Sequence, residues 1–495
     1  MTTSERVRGL TVGQELLVAV GIVVTGVAVA IAPSDPRLFA GLVVVAGGVF
    51  CTRYVEVAAA GLAFVIAGHF SSVATNVHGL PSPSVGLAAA IVLGILLRPD
   101  TRSFVPPPRL VLLFAGYGLV VIASVLWAAH PDRTFEAADV LARDMVFGIL
   151  VASVARRMDS LRLTLWAIMA AIGLLAAVSV VQFFTGNFTS SYGGLSEAVV
   201  ANIVIGTDDW RIVGPFGDPN YYAQMLAIGI AVGLNRALHE RRRSLRVLAA
   251  TTVVVSTLAM YTTFSRGGAF TLGVLIVAFL LLRRPRPYTV GLTLLAVLLI
   301  VPILPAEFRD RISATVDLGS GSAAAPADIA VRGRLSEALA GAAMFRDAPL
   351  LGVGVANYPP TYQEYAQEFQ LDLRPQERSA HSLYVEIASE SGVLGITAFG
   401  ALLVGVLGAL RRRSRWDRDI APPARALTEG LGLALLAFLT SSVFLHGAHD
   451  RIFWLLTGLA LALPLDRLQR DAPPDDIADD ALSPTRHPVA PASTR

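Results

Sequence analysis

Four stretches of this 495-residue chain hold side chains suited to phosphate chemistry. RIVGPFGDPNYYAQML (Arg211–Leu226) sets Arg211 ahead of Asp218-Pro219-Asn220, and TTFSRGGAF (Thr262–Phe270) carries Arg266. VRGRLSEA (Val331–Ala338) carries Arg332 and Arg334, and RSAHSLYVEIASESGVLG (Arg378–Gly395) carries His381, Glu386 and Glu390. The planar fork of arginine grips phosphate oxygens in pairs. Histidine is the side chain whose ordinary pKa suits a base near neutrality. Several arginines and one base fit a substrate with a diphosphate group.

Each stretch also has a plainer reading. Asp218 followed by Pro219 is a good helix start, an N-cap with proline at the first helical position. Arg266 sits in a tight turn, where an arginine can anchor by snorkelling. Arg332 and Arg334 open a helix, where the dipole disfavours cations unless an anion is near. A lone interfacial histidine often caps or packs. Glu386 and Glu390 are like charges one turn apart, costly in a membrane unless partnered. The arginines are the obvious partners, and either glutamate could orient His381 or bind an acceptor hydroxyl.

Three weaker features remain. LLGVGVANY (Leu350–Tyr358) has a Gly-x-Gly but no third glycine, so it reads as a turn and not a dinucleotide site. Asp139 and Arg143, four apart, read as a mutual ion pair. HGAHDR (His446–Arg451) places His446, His449 and Asp450 together, a weak metal pattern without a third clear ligand; no metal or cofactor is expected.

The elements that hold these residues are membrane helices. The chain is 54% hydrophobic and 16% charged, with mean hydropathy +0.61, whereas soluble proteins carry roughly 25% charged residues. All 40 basic residues other than histidine are arginines, and the single cysteine, Cys51, excludes an internal disulfide. Apolar runs of ~20 residues place about fourteen spans near 13–32, 37–52, 55–74, 84–97, 109–129, 139–155, 162–184, 219–236, 246–264, 267–282, 288–304, 382–410, 424–445 and 450–465. The first is read as a retained helix. Arginine clusters such as HERRRSLR (His239–Arg246) and RRRSRWDR (Arg411–Arg418) then all fall on the cytoplasmic side, with both termini inside.

The expected fold is therefore all-α: a polytopic membrane protein of about 12–14 transmembrane helices with one large outer loop. Residues 1–159 are N-terminal transmembrane helices. Residues 160–410 form the core with outer loop 305–381, residues 411–468 the C-terminal helices, and 469–495 a disordered cytoplasmic tail. The outer loop holds seven arginines against ten acids. In RGRLSEALAGAAMF, Leu335, Leu339, Ala342 and Phe345 share one face, so this helix either lies on the outer surface or packs into an outer subdomain.

The order of these blocks resembles the O-antigen ligase and polymerase superfamily over about residues 160–410. The likeness rests on RIVGPFGDPNYYA, TTFSRGGAF, RGRLSEALAGAAMFRDAPLLGVGVANY and AHSLYVEIASESGVLGITAF. The family pattern often has asparagine after the histidine, where this chain has Ser382. The resemblance implies a GT-C-like membrane glycosyltransferase of cell-surface polysaccharide biosynthesis, with no cofactor and no nucleic-acid partner. It implies an undecaprenyl-diphosphate-linked glycan donor, and a glycan or lipid acceptor on the outer face of the plasma membrane. It implies His381 as general base and Arg211 and Arg334 as stabilisers of the diphosphate. Arg266, Arg332, Asp218, Asn220, Glu386 and Glu390 would bind substrate. A repeat-unit polymerase, a transporter and a scaffold of a cell-wall assembly complex stay open as rivals.

Overall fold

A computed structural model describes residues 47–200, 210–283, 325–373, 377–414, 422–447 and 450–463. The expected spans 13–32 and 288–304, most of 37–52, and the tail 469–495 lie outside those residues.

The described chain is helical, as expected. It begins with α1 (Val55–Ala67), α2 (Pro83–Leu96), α3 (Pro108–Ala123), α4 (Pro131–Val154) and α5 (Met158–Thr185). After a hairpin of β1 (Glu197–Val200) and β2 (Trp210–Gly214) come α6 (Pro219–His239), α7 (Arg243–Thr262) and α8 (Arg266–Arg283). Then follow α9 (Ala325–Asp347), α10 (Tyr358–Glu368), α11 (Leu383–Ser414), α12 (Pro422–Ser441) and α13 (Arg451–Ala462). Proline opens α2, α3, α4 and α6, where its fixed φ and missing N–H cost nothing. Gly186, at φ 67°, ends α5, the usual left-handed stop.

Among the described residues, five helices are long and apolar enough to cross a membrane: Pro108–Leu126, Met158–Thr185, Arg243–Thr262, Leu383–Arg411 and Ala424–Ser441. A sixth is added if Val55–Ala67 and Phe70–Val77, bent by 80°, form one broken span. The chain is thus an all-α polytopic membrane protein. The spans expected at 84–97, 267–282 and 450–465 are shorter apolar helices. Those expected at 139–155 and 219–236 fall on α4 and α6, whose polar residues serve internal contacts. Leu112, Leu119, Leu126, Phe184 and Val404 are largely exposed, an apolar exterior suited to a lipid surrounding.

The core runs along α6, α12 and α13. Every residue of α13 after Arg451 is buried. It crosses α4 at two glycines: a Cβ on Gly148 would stand 2.7 Å from the Trp454 carbonyl oxygen, and one on Gly458 3.0 Å from that of Gly148. Small residues at a crossing let helix backbones approach closely. Asp144 of α4 is buried and pairs with Arg451 at 2.7 Å, a contact between distant residues with no local signal in the sequence. The expected neighbour pair on the same helix does form, Arg143 to Asp139 at 2.7 Å.

The Gly-x-Gly segment is a turn, as expected, and it crosses α11. Gly392 breaks that helix at φ 58°, ψ −156°. There Val353 N donates to Ser389 O at 3.0 Å, Gly354 N to Glu390 O at 2.9 Å, and Val393 N to Pro349 O at 2.8 Å. The backbones are so close that a Cβ on Gly352 (φ 70°) would lie 2.2 Å from the carbonyl carbon of Glu390. Gly352→Ala should therefore cost about 2–4 kcal/mol, from left-handed backbone and overpacking together. The check is the thermal midpoint of the purified protein; an unchanged midpoint would show that the crossing is loose.

Candidate functional site

Two of the sequence motifs meet where α6 and α8 begin. Asp218 Oδ1 accepts from the backbone N–H groups of Asn220 and Tyr221, both at 2.8 Å, so it is the N-cap of α6. Ser265 Oγ donates to Asn220 Oδ1 at 2.8 Å and accepts from Gly268 N at 3.1 Å. Arg211, on β2, donates from Nε to Thr263 O at 2.8 Å. The hairpin, where Val199 stands opposite Arg211, thus delivers Arg211 to the α7–α8 turn, close to the start of α8 at Arg266. Asp218, Asn220, Arg211 and Arg266 form one locality. The hairpin itself was not foreseen, because its strands are only four and five residues long.

The other motifs meet around α9. This helix turns Leu335 and Leu339 outward, 57% and 49% exposed, and buries Glu337, Ala340 and Met344. Ala340 and Met344 pack with Tyr358, Tyr362 and Ala380. The exposed apolar face suits a helix lying on a membrane surface, and the other face packs against α10 and the segment before α11.

Glu337 is the centre of this second locality. Its side chain is 1% exposed, ion-pairs with Arg378 Nε at 2.9 Å and stands 3.2 Å from His381 Nδ1. His381 Nδ1 also approaches Ser379 O at 3.0 Å. Both neighbours are acceptors, so Nδ1 carries the proton and Nε2 holds the lone pair of the neutral ring. The hydrogen bond and negative charge of Glu337 raise the His381 pKa above its usual value; burial and Arg334 oppose this. His381 itself has φ 44°, a left-handed conformation uncommon for a residue with a Cβ.

Arg334 connects the two localities. Its guanidinium lies 5.9 Å from the centre of the Phe444 ring. Phe444 in turn meets Phe270 edge-on at 5.6 Å and stands 3.2 Å from where a Gly267 Cβ would be. The charge of Arg334 acts on both Arg266 and His381. Arg332 is exposed on the same turn of α9.

The two glutamates of α11 have separate tasks. Both oxygens of Glu390 accept backbone N–H groups, Ala356 at 2.9 Å and Tyr358 at 3.0 Å, which holds the glycine turn and the start of α10. Glu386 Oε2 accepts from Gly447 N at 2.9 Å. The orientation of His381, expected of one or the other, falls to Glu337 instead. Glu386 and His446 line two clefts. One, of about 470 Å³, holds His69, Phe216, Tyr221 and Asp218; the other, of about 690 Å³, holds Arg133, Tyr358 and Ser379. His446 lies 5.6 Å from His381, ring centre to ring centre. Asp450 caps α13 through Ile452 N, and His449 lies outside the described residues.

Sequence reasoning did not single out Glu337, Arg378 or Phe444 as site residues, and it weighed His446 only as part of a weak metal pattern. Glu337 had a signal: an acid at the 337, 340, 344 spacing of the buried face of α9. Phe444 had none, because its place depends on the turn after α12.

The fold and these two localities define a multi-pass membrane protein with an arginine cluster beside a carboxylate-held histidine. Residues 251–400 match the family model described as O-antigen ligase. Over that stretch, less than half of the chain, the sequence is similar to the O-antigen ligase superfamily. The match includes Arg266, Arg332, Arg334, His381, Glu386 and Glu390; Arg211, Asp218 and Asn220 precede it. A search of curated proteins finds no match.

Glu337→Gln removes the charge that favours imidazolium, so the His381 pKa should fall. In a pH series of histidine modification by diethyl pyrocarbonate, His381 of the variant should become reactive at lower pH than in the parent protein. Identical profiles would show that Glu337 does not set the proton affinity of His381.

Proposed function

We propose that the chain transfers a glycan from an undecaprenyl-diphosphate-linked donor to an acceptor sugar at the outer face of the membrane. The observation that carries this reading is the Glu337–His381 pair beside Arg334. A base with a fixed tautomer stands next to cationic groups suited to a diphosphate.

A sugar hydroxyl is a weak nucleophile. His381 Nε2 takes its proton as the hydroxyl oxygen bonds to the anomeric carbon. Glu337 stabilises the imidazolium that results. The bond from that carbon to the diphosphate breaks, and its electron pair leaves on the diphosphate oxygen. Arg211 and Arg334 stabilise that oxygen, where partial burial makes such contacts strong. Arg266 and Arg332 add positive charge along the path of the diphosphate. Glu386, on the wall between the two clefts, is the acceptor-side carboxylate, while Asp218, Asn220 and Glu390 hold the backbone that shapes the site. A single displacement inverts the anomeric centre, and charge neutralisation is assigned to arginines. In this reading the site end of the bundle faces outward and both termini are cytoplasmic, which the arginine-rich clusters of the sequence support.

The test uses a strain lacking the protein, complemented with the parent chain or variants. Lipid-diphosphate-linked glycan is measured against mature surface glycan. His381→Ala should lower transfer about 10²–10⁴-fold, the usual worth of a positioned base, and retain donor binding. Arg211→Ala should weaken both binding and transfer. Accumulated lipid-linked polymer marks a ligase, and accumulated single repeat units mark a polymerase. If His381→Ala leaves both pools unchanged, His381 is not the base. If loss of the whole protein changes neither pool, the transferase reading fails in favour of transport.

A further inference from the structure

The end of the bundle opposite His381 holds a second charged cavity. The 21 residues of α6 carry His239 ~30 Å from Asp218, at 1.5 Å per residue. There a cavity of about 330 Å³ opens between the start of α5, the end of α6 and the start of α12. Arg162, Arg236, Arg241 and Arg242 line it together with His239, against only Asp159 and Glu240.

Most of these charges have a plain account. Arg241 and Arg242 are exposed, as loop arginines at a cytoplasmic face are. Glu240 Oε1 pairs with Arg162, 2.5 Å away, and accepts from Arg241 N at 3.1 Å, while its Oε2 meets no donor among the described residues and its charge acts on Arg236 as well. Arg236 is different. It is 4% exposed, it donates from Nη2 to Asn235 Oδ1 at 2.8 Å, and its Nε–H meets no acceptor among the described residues. A buried cation with an open donor is costly, and snorkelling into water does not explain it. The start of α5 also lines the cavity: Arg157, its N-cap, makes no side-chain cap bond, and Asp159 in the first turn offsets the positive helix end.

We propose that this cavity binds a phosphate group, with Arg236 as the buried donor and Arg162 and Arg241 at its rim. The ligand is either the headgroup phosphate of an anionic phospholipid or free phosphate. The site is independent of glycan transfer, since no residue of it touches the His381 locality.

The test uses the full chain in phosphatidylcholine nanodiscs. One arm replaces part of the lipid with phosphatidylglycerol, and the other adds inorganic phosphate; thermal midpoint and apparent affinity are read in both. Binding to the folded state raises the midpoint by mass action. The expected result is a rise of several degrees in at least one arm. Arg236→Gln should abolish it, and Arg241→Gln should weaken apparent affinity by at least threefold. Arg241 is exposed, so its variant keeps the test open if Arg236→Gln does not fold. A rise with phosphatidylglycerol alone assigns a lipid headgroup, and a rise with phosphate alone assigns the free ion. A rise in both arms assigns the phosphate group from either source. No rise in either arm, or equal rises in the parent and both variants, overturns the proposal.

Discussion

Glu337 cannot lie buried without a positive partner, and much of the site follows from that. A buried carboxylate is tolerated only when it is paired. Arg378 supplies the charge at 2.9 Å, and His381 Nδ1 stands 3.2 Å away. Because the acid sits on α9 and both partners on the segment leading into α11, the pairing fixes one element against the other. Tyr358 Oη adds a bond to the Glu337 carbonyl at 2.5 Å and brings α10 into the same cluster. The same contacts set the tautomer of His381, so a folding requirement and a chemical one rest on one side chain.

The glycine turn supports this arrangement from the far side. It locks to α11 where Gly392 breaks the helix, and its last residues bind Glu390. Asn357 of the turn donates to Thr134 Oγ1 at 2.9 Å and accepts from His130 N at 2.6 Å, which ties the turn and α10 to α4. Buried polar networks of this kind rigidify when every member is satisfied. The His381 segment is thus held at both ends by packed backbone, although most of it has no regular secondary structure.

Much of this was legible in the sequence, for identifiable reasons. The helices were readable because long apolar runs with arginine-rich ends fit a lipid bilayer and little else. Asp218 was readable as a cap because Asp-Pro is a local signal. His381, Arg334 and Arg266 were singled out because polar residues at the ends of apolar runs stand out by type. Glu337 was obscured by its neighbours: an acid three residues after an arginine reads as a surface pair, and only tertiary packing buries it. The roles of Glu386 and Glu390 were confused for a related reason. Spacing puts two carboxylates on one face, but does not say that one of them will cap a different helix. The hairpin carrying Arg211 fell below the length at which alternation becomes a signal.

The outward face of α9 has a mechanical consequence. Leu335 and Leu339 present apolar surface on the side opposite Glu337, so this helix behaves as a float whose height is set by the surrounding apolar medium. His381 is moored to that float through the carboxylate. Were those leucines seated in lipid, any shift of α9 would pass through the carboxylate to the base.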